Sequence, residues 1–115
     1  MVSNLFCSLK NDRDFRRTYG KGKSLVCFCA VLYINKNYGK GLRIGITVSK
    51  KIGNAVIRNR ARRVIKAACR TFFSNKKMGN LDIVLVARGK TPYVKSYVVG
   101  RCLAKLLADA FNSRS

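Results

Sequence analysis

The chain has 115 residues and a formal charge of +21, from 25 Lys and Arg against four acids, with no histidine and 48% apolar residues. That length accommodates one small domain with a real core, and the apolar content excludes a disordered basic tail. No apolar run approaches the roughly 18 residues of a membrane-spanning helix, and neither a signal peptide nor a lipidation motif is expected.

The charge is unevenly placed. The acids are Asp12, Asp14, Asp82 and Asp109, and 17 basic residues separate Asp14 from Asp82 with no carboxylate between them. Self-repulsion on this scale is relieved by a polyanion, so nucleic acid is the leading partner and an anionic membrane surface the rival.

In chain order, Asn11-Asp12-Arg13-Asp14 starts a short helix that ends at Gly20 or Gly22, its acids placed against the helix dipole. Phe15 and Tyr19 lie four apart and share a face. Ser24–Ile34, SLVCFCAVLYI, reads as one strand rich in β-branched and aromatic residues. Asn35–Gly41 is a turn, and Leu42–Ser49 alternates as a second strand, with Leu42, Ile44, Ile46 and Val48 on one side and Arg43, Gly45, Thr47 and Ser49 on the other. These two strands are expected to form a hairpin.

Gly53-Asn54 offers a cap for a helix beginning near Ala55. At about 100° per residue, Ile57, Ala61, Val64, Ile65, Ala68 and Phe72 gather on one side. Asn59, Arg62, Arg63, Lys66 and Arg70 gather opposite, with Arg58 and Arg60 on the flanks. From Lys50 to Arg70 there are eight basic residues and no acid. A merely solvated helix face mixes signs to gain i,i+4 pairs, and this one has none. Asn75–Asn80 breaks the pattern. Leu81–Ala87, LDIVLVA, has the continuous apolar character of a central strand. Arg88–Pro92 is a loop, and Val98, Val99, Cys102, Leu103, Leu106, Leu107 and Ala110 mark a closing amphipathic helix over about Val94–Phe111. Phe28, Phe72 and Phe111 are assigned to the core. The order is α-β-β-α-β-α, an α+β sandwich with its helices on one small sheet.

Little in the chain suggests catalysis. No histidine is available as a base, and Asp12 and Asp14 are better explained as helix-start acids than as an acid–base pair. Gly20-Lys21-Gly22 and Gly39-Lys40-Gly41 lack phosphate-loop spacing and read as turns. Cys7, Cys27, Cys29, Cys69 and Cys102 are odd in number; a zinc site needs two close ligand pairs, and only Cys27-Phe28-Cys29 approaches one. The cysteines are therefore read as reduced structural thiols of a cytoplasmic protein, with no metal ligand among them.

The stretch SKKIGNAVIRNRARRVIK resembles the signature of the bacterial ribonuclease P protein component, through Lys50, Lys51, Gly53, Asn54, Ala55, Arg58, Asn59, Arg60, Arg62 and Arg63. Phe15 and Tyr19 stand where that family carries paired aromatics, Gly22-Lys23-Ser24 precedes the first strand, Tyr33 lies within it, and Val84–Arg88 is similar to the third strand and its exit. The resemblance implies an accessory subunit of an endoribonuclease, inactive alone, that assists a catalytic RNA in removing the 5′ leader of precursor tRNA with Mg²⁺ held mainly by the RNA. It implies one domain over residues 1–115 with a fold similar to domain 2 of ribosomal protein S5, including a left-handed βαβ crossover. It also implies that Lys50, Lys51, Asn54, Arg58, Asn59, Arg60, Arg62, Arg63, Lys66 and Arg70 face the catalytic RNA, and that Phe15, Tyr19 and Tyr33 line a leader-binding cleft. Chemistry agrees: guanidinium forks suit phosphates, and aromatic faces stack on unpaired bases. A ribosomal or free-standing RNA-binding protein fits the charge equally well. A DNA-binding regulator fits less well, since a strand, not a turn and helix, precedes the basic helix.

Overall fold

The computed structural model describes residues 7–9, 11–73 and 79–112. Its architecture is α+β, built on a five-stranded sheet of order β1-β4-β5-β3-β2. The strands are β1 (Cys7–Ser8), β2 (Lys23–Cys27), β3 (Ala30–Lys36), β4 (Arg43–Thr47) and β5 (Leu81–Ala87). The helices are α1 (Asp12–Lys21), α2 (Ala55–Phe73) and α3 (Ser96–Asn112), with short 3₁₀ turns at Lys50–Ile52 and Thr91–Tyr93. The order is thus β-α-β-β-β-α-β-α, not α-β-β-α-β-α.

Two expectations fail, for identifiable reasons. The apolar run 24–34 is two antiparallel strands, with Cys27 opposite Ala30 across a two-residue turn at Phe28-Cys29. That turn carries no Gly, Pro or Asn because its hydrogen bonds come from far along the chain. Arg88 Nη1 donates to the Cys27 carbonyl at 2.8 Å and Thr91 Oγ1 to the Cys29 carbonyl. The predicted hairpin is also absent. β4 pairs in parallel with β5, and β3 pairs antiparallel with β5 on its other side. The strand with the longest buried apolar run takes the centre and separates the two strands that precede it in sequence. The connection between them is tied down by Asn37, whose Nδ2 donates to the Gly41 carbonyl at 2.9 Å and to Asp82 Oδ1 at 2.8 Å.

Strand alternation gives the sheet two unlike faces. Leu32, Ile44, Ile83 and Leu85 join the main core, buried against α2 and α3 through Ala61, Ile65, Ala68, Phe73, Val99, Leu103 and Leu107. Cys69 belongs to the same buried set. Each large apolar side chain buried here contributes about 1.5–3 kcal/mol. Phe28 does not join it; at 53% exposure it stands out from the β2–β3 turn. Phe72 is half-buried against the core, and the side chain of Phe111 lies outside the described residues. The opposite face, bearing Arg43, Gly45, Thr47, Val84 and Tyr33, is covered only in part, by α1.

An ion-pair network anchors α1 to that face. Arg43 sends Nε to Asp82 Oδ1 and Nη2 to Oδ2, both at 2.7 Å, and Nη1 to Asp14 Oδ2 at 3.1 Å. Arg17 adds a 2.7 Å bond to Asp14 Oδ1. Asp82 is 1% exposed. Burial pushes its carboxyl up, but hydrogen bonds from Arg43 and Asn37 outweigh this and leave it below the ordinary 3.8. With the folded value depressed, this stabilisation is complete above the unfolded value and is lost as pH falls through the folded one.

Replacing Arg43 with Ala leaves Asp14 and Asp82 without their shared cation and should cost about 3–5 kcal/mol in urea denaturation at neutral pH. Asp82→Asn should flatten the decline of stability below about pH 4 relative to the parent chain. Parallel acid profiles for the two proteins would show that Asp82 is not the responsible group.

Candidate nucleic-acid interface

Two surfaces stand out. On α2, Asn54 caps the first turn by accepting the Ile57 N–H at 3.0 Å, so the strand-to-helix connection Ser49–Asn54 delivers the helix directly into its cationic stretch. Lys50 and Lys51, in the preceding 3₁₀ turn, are exposed, as are Asn54, Asn59, Arg60, Arg62, Arg63, Lys66 and Arg70; Arg58 is half-buried. None of these cations has a carboxylate partner among the described residues, because Asp14 and Asp82 are taken up by Arg17 and Arg43. Asn59 Oδ1 accepts instead from Arg62 Nη1 at 3.1 Å and steadies that guanidinium. Asn54 thus acts as the cap that the sequence offered, and the positioning role of Asn59 is visible only in the structure. Together the lysines and arginines make this surface strongly positive.

The second surface is a cleft between α1 and the end of β4. Phe15 and Tyr19 have ring centroids 6.3 Å apart, and Tyr19 meets Tyr33 edge-to-face at 4.9 Å. The three predicted aromatics are therefore one cluster. Tyr19, 36% exposed, shares a 2.7 Å hydrogen bond with Thr47 Oγ1, which fixes its ring against the sheet. The cleft, of about 620 Å³, is lined by Asp12, Phe15, Arg16, Tyr19, Ile46, Thr47, Val48 and Arg62. Arg62 was expected only on the helix face, yet it borders the cleft, so the two surfaces meet at one guanidinium.

Gly45 lets Phe15 lie on the sheet. A Cβ at residue 45 would stand 2.6 Å from Phe15 Cζ, closer than carbon atoms approach, and a tight 3.2 Å from Leu9 Cβ. The alternation of Gly45 and Thr47 with Ile44 and Ile46 placed them opposite the core in the sequence but gave them no role at the site.

The thiols are poor nucleophile candidates. Burial pushes Cys69 up to about 12, and burial followed by contact with neighbouring thiols raises Cys29 well above the ordinary thiol range. The chain has no histidine to activate either.

A family model described as Ribonuclease P matches residues 6–110. The ribonuclease P protein component of Clostridioides difficile is 49% identical over 80 residues, covering 70% of each chain. That of Caldanaerobacter subterraneus is 37% identical over 99 residues, covering 86% of this chain and 84% of its own. Among solved structures, the Staphylococcus aureus RNase P protein superposes with a TM-score of 0.75 at 33% identity, over 90% of this chain and 94% of that one. The Thermotoga maritima RNase P protein gives 0.72 at 32%, over 87% and 94%.

Gly45→Ala should lower stability by about 1–3 kcal/mol through overpacking. Adding Phe15→Leu should recover part of that loss, because the smaller side chain makes room for the methyl group. Denaturation of the two single variants and the double variant reads the coupling; strictly additive losses would mean that Phe15 is not what Gly45 accommodates.

Proposed function

The chain belongs to the ribonuclease P protein family, and from that membership we propose a division of labour between its two surfaces: the cationic face of α2 holds the catalytic RNA, and the aromatic cleft holds the single-stranded leader of precursor tRNA. Membership makes the chain the protein subunit of a tRNA-processing endoribonuclease rather than a ribosomal protein. The observation that carries the division is the continuity of a stacking surface and a phosphate-binding surface at Arg62.

Each surface suits its ligand. Lys50, Lys51, Arg58, Arg60, Arg63, Lys66 and Arg70 meet phosphates at no cost in broken ion pairs, since none has a carboxylate partner among the described residues. Arg62, held by Asn59, adds a directed fork. Phe15 and Tyr19 line the cleft and offer π faces that accept any base, Tyr33 braces Tyr19 edge-to-face from outside the lining, and Arg16 and Arg62 at the margin attract the backbone; this combination binds single strands with little sequence preference.

The protein's part is to bind and orient. Magnesium requires oxygen ligands in near-octahedral array. Asp14 and Asp82 are already bound by Arg43, and the one cluster of three candidate metal ligands among the described residues consists of thiols. These residues do not fit Mg²⁺. The metal and the cleavage step belong to the RNA subunit, and the protein alone is inactive. No described helix is long and apolar enough to cross a membrane. A cytoplasmic setting, without membrane or DNA as partner, follows from the tRNA-processing role.

Phe15→Leu keeps most of the apolar volume and removes a π face. Holoenzyme reconstituted with this variant should bind precursor tRNA about 10- to 100-fold more weakly, the loss of one stacking contact, while its affinity for mature tRNA stays nearly constant. Binding measured in Ca²⁺, which suppresses cleavage, separates the outcomes. Equal weakening for both tRNAs would remove the leader from this cleft.

A further inference from the structure

Two thiols two residues apart and a third 73 positions further on converge at the outer edge of the sheet, where the β2–β3 turn meets α3. Cys27 closes β2, Cys29 sits in the β2–β3 turn and Cys102 comes from α3. Cys27 Sγ and Cys29 Sγ are 3.6 Å apart, Cys29 Sγ and Cys102 Sγ are 3.3 Å apart, and all three sulfurs lie within 4.8 Å of one another. We propose that Cys27, Cys29 and Cys102 form a binding site for one thiophilic d¹⁰ cation, monovalent copper or zinc, at the joint between the β2–β3 turn and α3.

The geometry suits such an ion. Sulfurs each about 2.3 Å from a shared metal stand about 3.8 Å from one another, so metal entry requires only small shifts. The backbone that presents two of the thiols is already held, because Arg88 and Thr91 bind the carbonyls of Cys27 and Cys29. Three thiolates and no histidine make a soft ligand set, which selects copper(I) and zinc over magnesium or calcium. Cys29 is wholly buried, whereas Cys27 and Cys102 are half-buried and line an open cavity of about 540 Å³. The cavity is an entry path. Arg101 and Lys105 on its wall offset the negative charge of the thiolates, and the opening admits a water as the fourth ligand that zinc would take. Copper(I) is satisfied by three sulfurs. Packing of small apolar thiols accounts for a buried Cys29 but not for three sulfurs gathered beneath an opening.

Binding is a substitution without electron transfer. Three S–H bonds break, three metal–sulfur bonds form, and three protons pass to the buffer. Copper enters already as copper(I), and zinc has no redox step. The bound ion would fasten α3 to the β2–β3 turn.

The test uses the full chain, reduced and free of oxygen, titrated with copper(I) against a chromogenic copper(I) chelator and separately with zinc, using cobalt(II) as its spectroscopic stand-in. One equivalent should bind, with thiolate-to-metal charge transfer in the ultraviolet. Cys27→Ser and Cys102→Ser should each weaken binding about 100-fold or more, at least the loss known for weaker second-shell changes; Cys69→Ser, in α2, should not. If a serine variant fails to fold, alkylation of the unaltered protein still decides the matter. One equivalent of metal should slow modification of Cys27 and Cys102, read by peptide mass mapping. Binding of copper alone assigns the three-sulfur form, and binding of both metals assigns the form that recruits an oxygen. Failure of both metals to compete with the chelators, or binding indifferent to Cys27→Ser and Cys102→Ser, overturns the site.

Discussion

Arg43 is the residue around which the molecule is organised. Its guanidinium joins Asp82 on the central strand to Asp14 on the first helix, so one side chain holds β4 to β5 and both to α1. The same contacts sequester two of the four carboxylates in the chain. A buried pair of this kind adds little net stability over an apolar replacement, but removing one partner is costly. Its main consequence here is spatial. By seating α1 across part of the sheet and leaving the rest open, it creates the wall against which Phe15, Tyr19 and Tyr33 assemble. By holding Asp14 and Asp82 inside, it keeps them from the cations of α2, which have no carboxylate partner among the described residues.

Charge separation of this type has a thermodynamic direction. Cations on α2 repel one another in the free protein, and that repulsion is relieved when phosphates approach. Binding a polyanion therefore stabilises the fold as well as the complex. The cleft follows a different logic, since stacking depends on ring faces and only weakly on charge. Arg62, shared by both, couples the two regimes, and Asn59 holds it where the helix surface turns into the cleft.

Much of this was legible in the residues. The 3.6-residue period of α2, its cap at Asn54, the central character of Leu81–Ala87 and the shared face of Phe15 and Tyr19 are local properties, and local patterns record them. The split of Ser24–Ile34 and the partner of β4 are not local. The turn at Phe28-Cys29 is made by Arg88 and Thr91, about sixty positions away, and β4 takes its place by pairing with the edge of β5 that β3 leaves open. The meeting of Cys102 with Cys27 and Cys29 had no trace in spacing for the same reason: it depends on how α3 crosses the turn. Gly45 and Thr47 lay in plain alternation, but their importance depended on knowing that an aromatic helix face would lie on them.

The central claim, that an uncompensated cationic face on α2 binds RNA through phosphates, is tested most directly by the affinity of the protein for the ribonuclease P RNA across a series of salt concentrations. If about six to ten phosphates are neutralised, the logarithm of affinity falls linearly with the logarithm of salt at a slope of about −5 to −9, losing several decades over the range. A nearly flat plot would contradict the account, since it would mean that the arginines and lysines of α2 remain solvated in the complex.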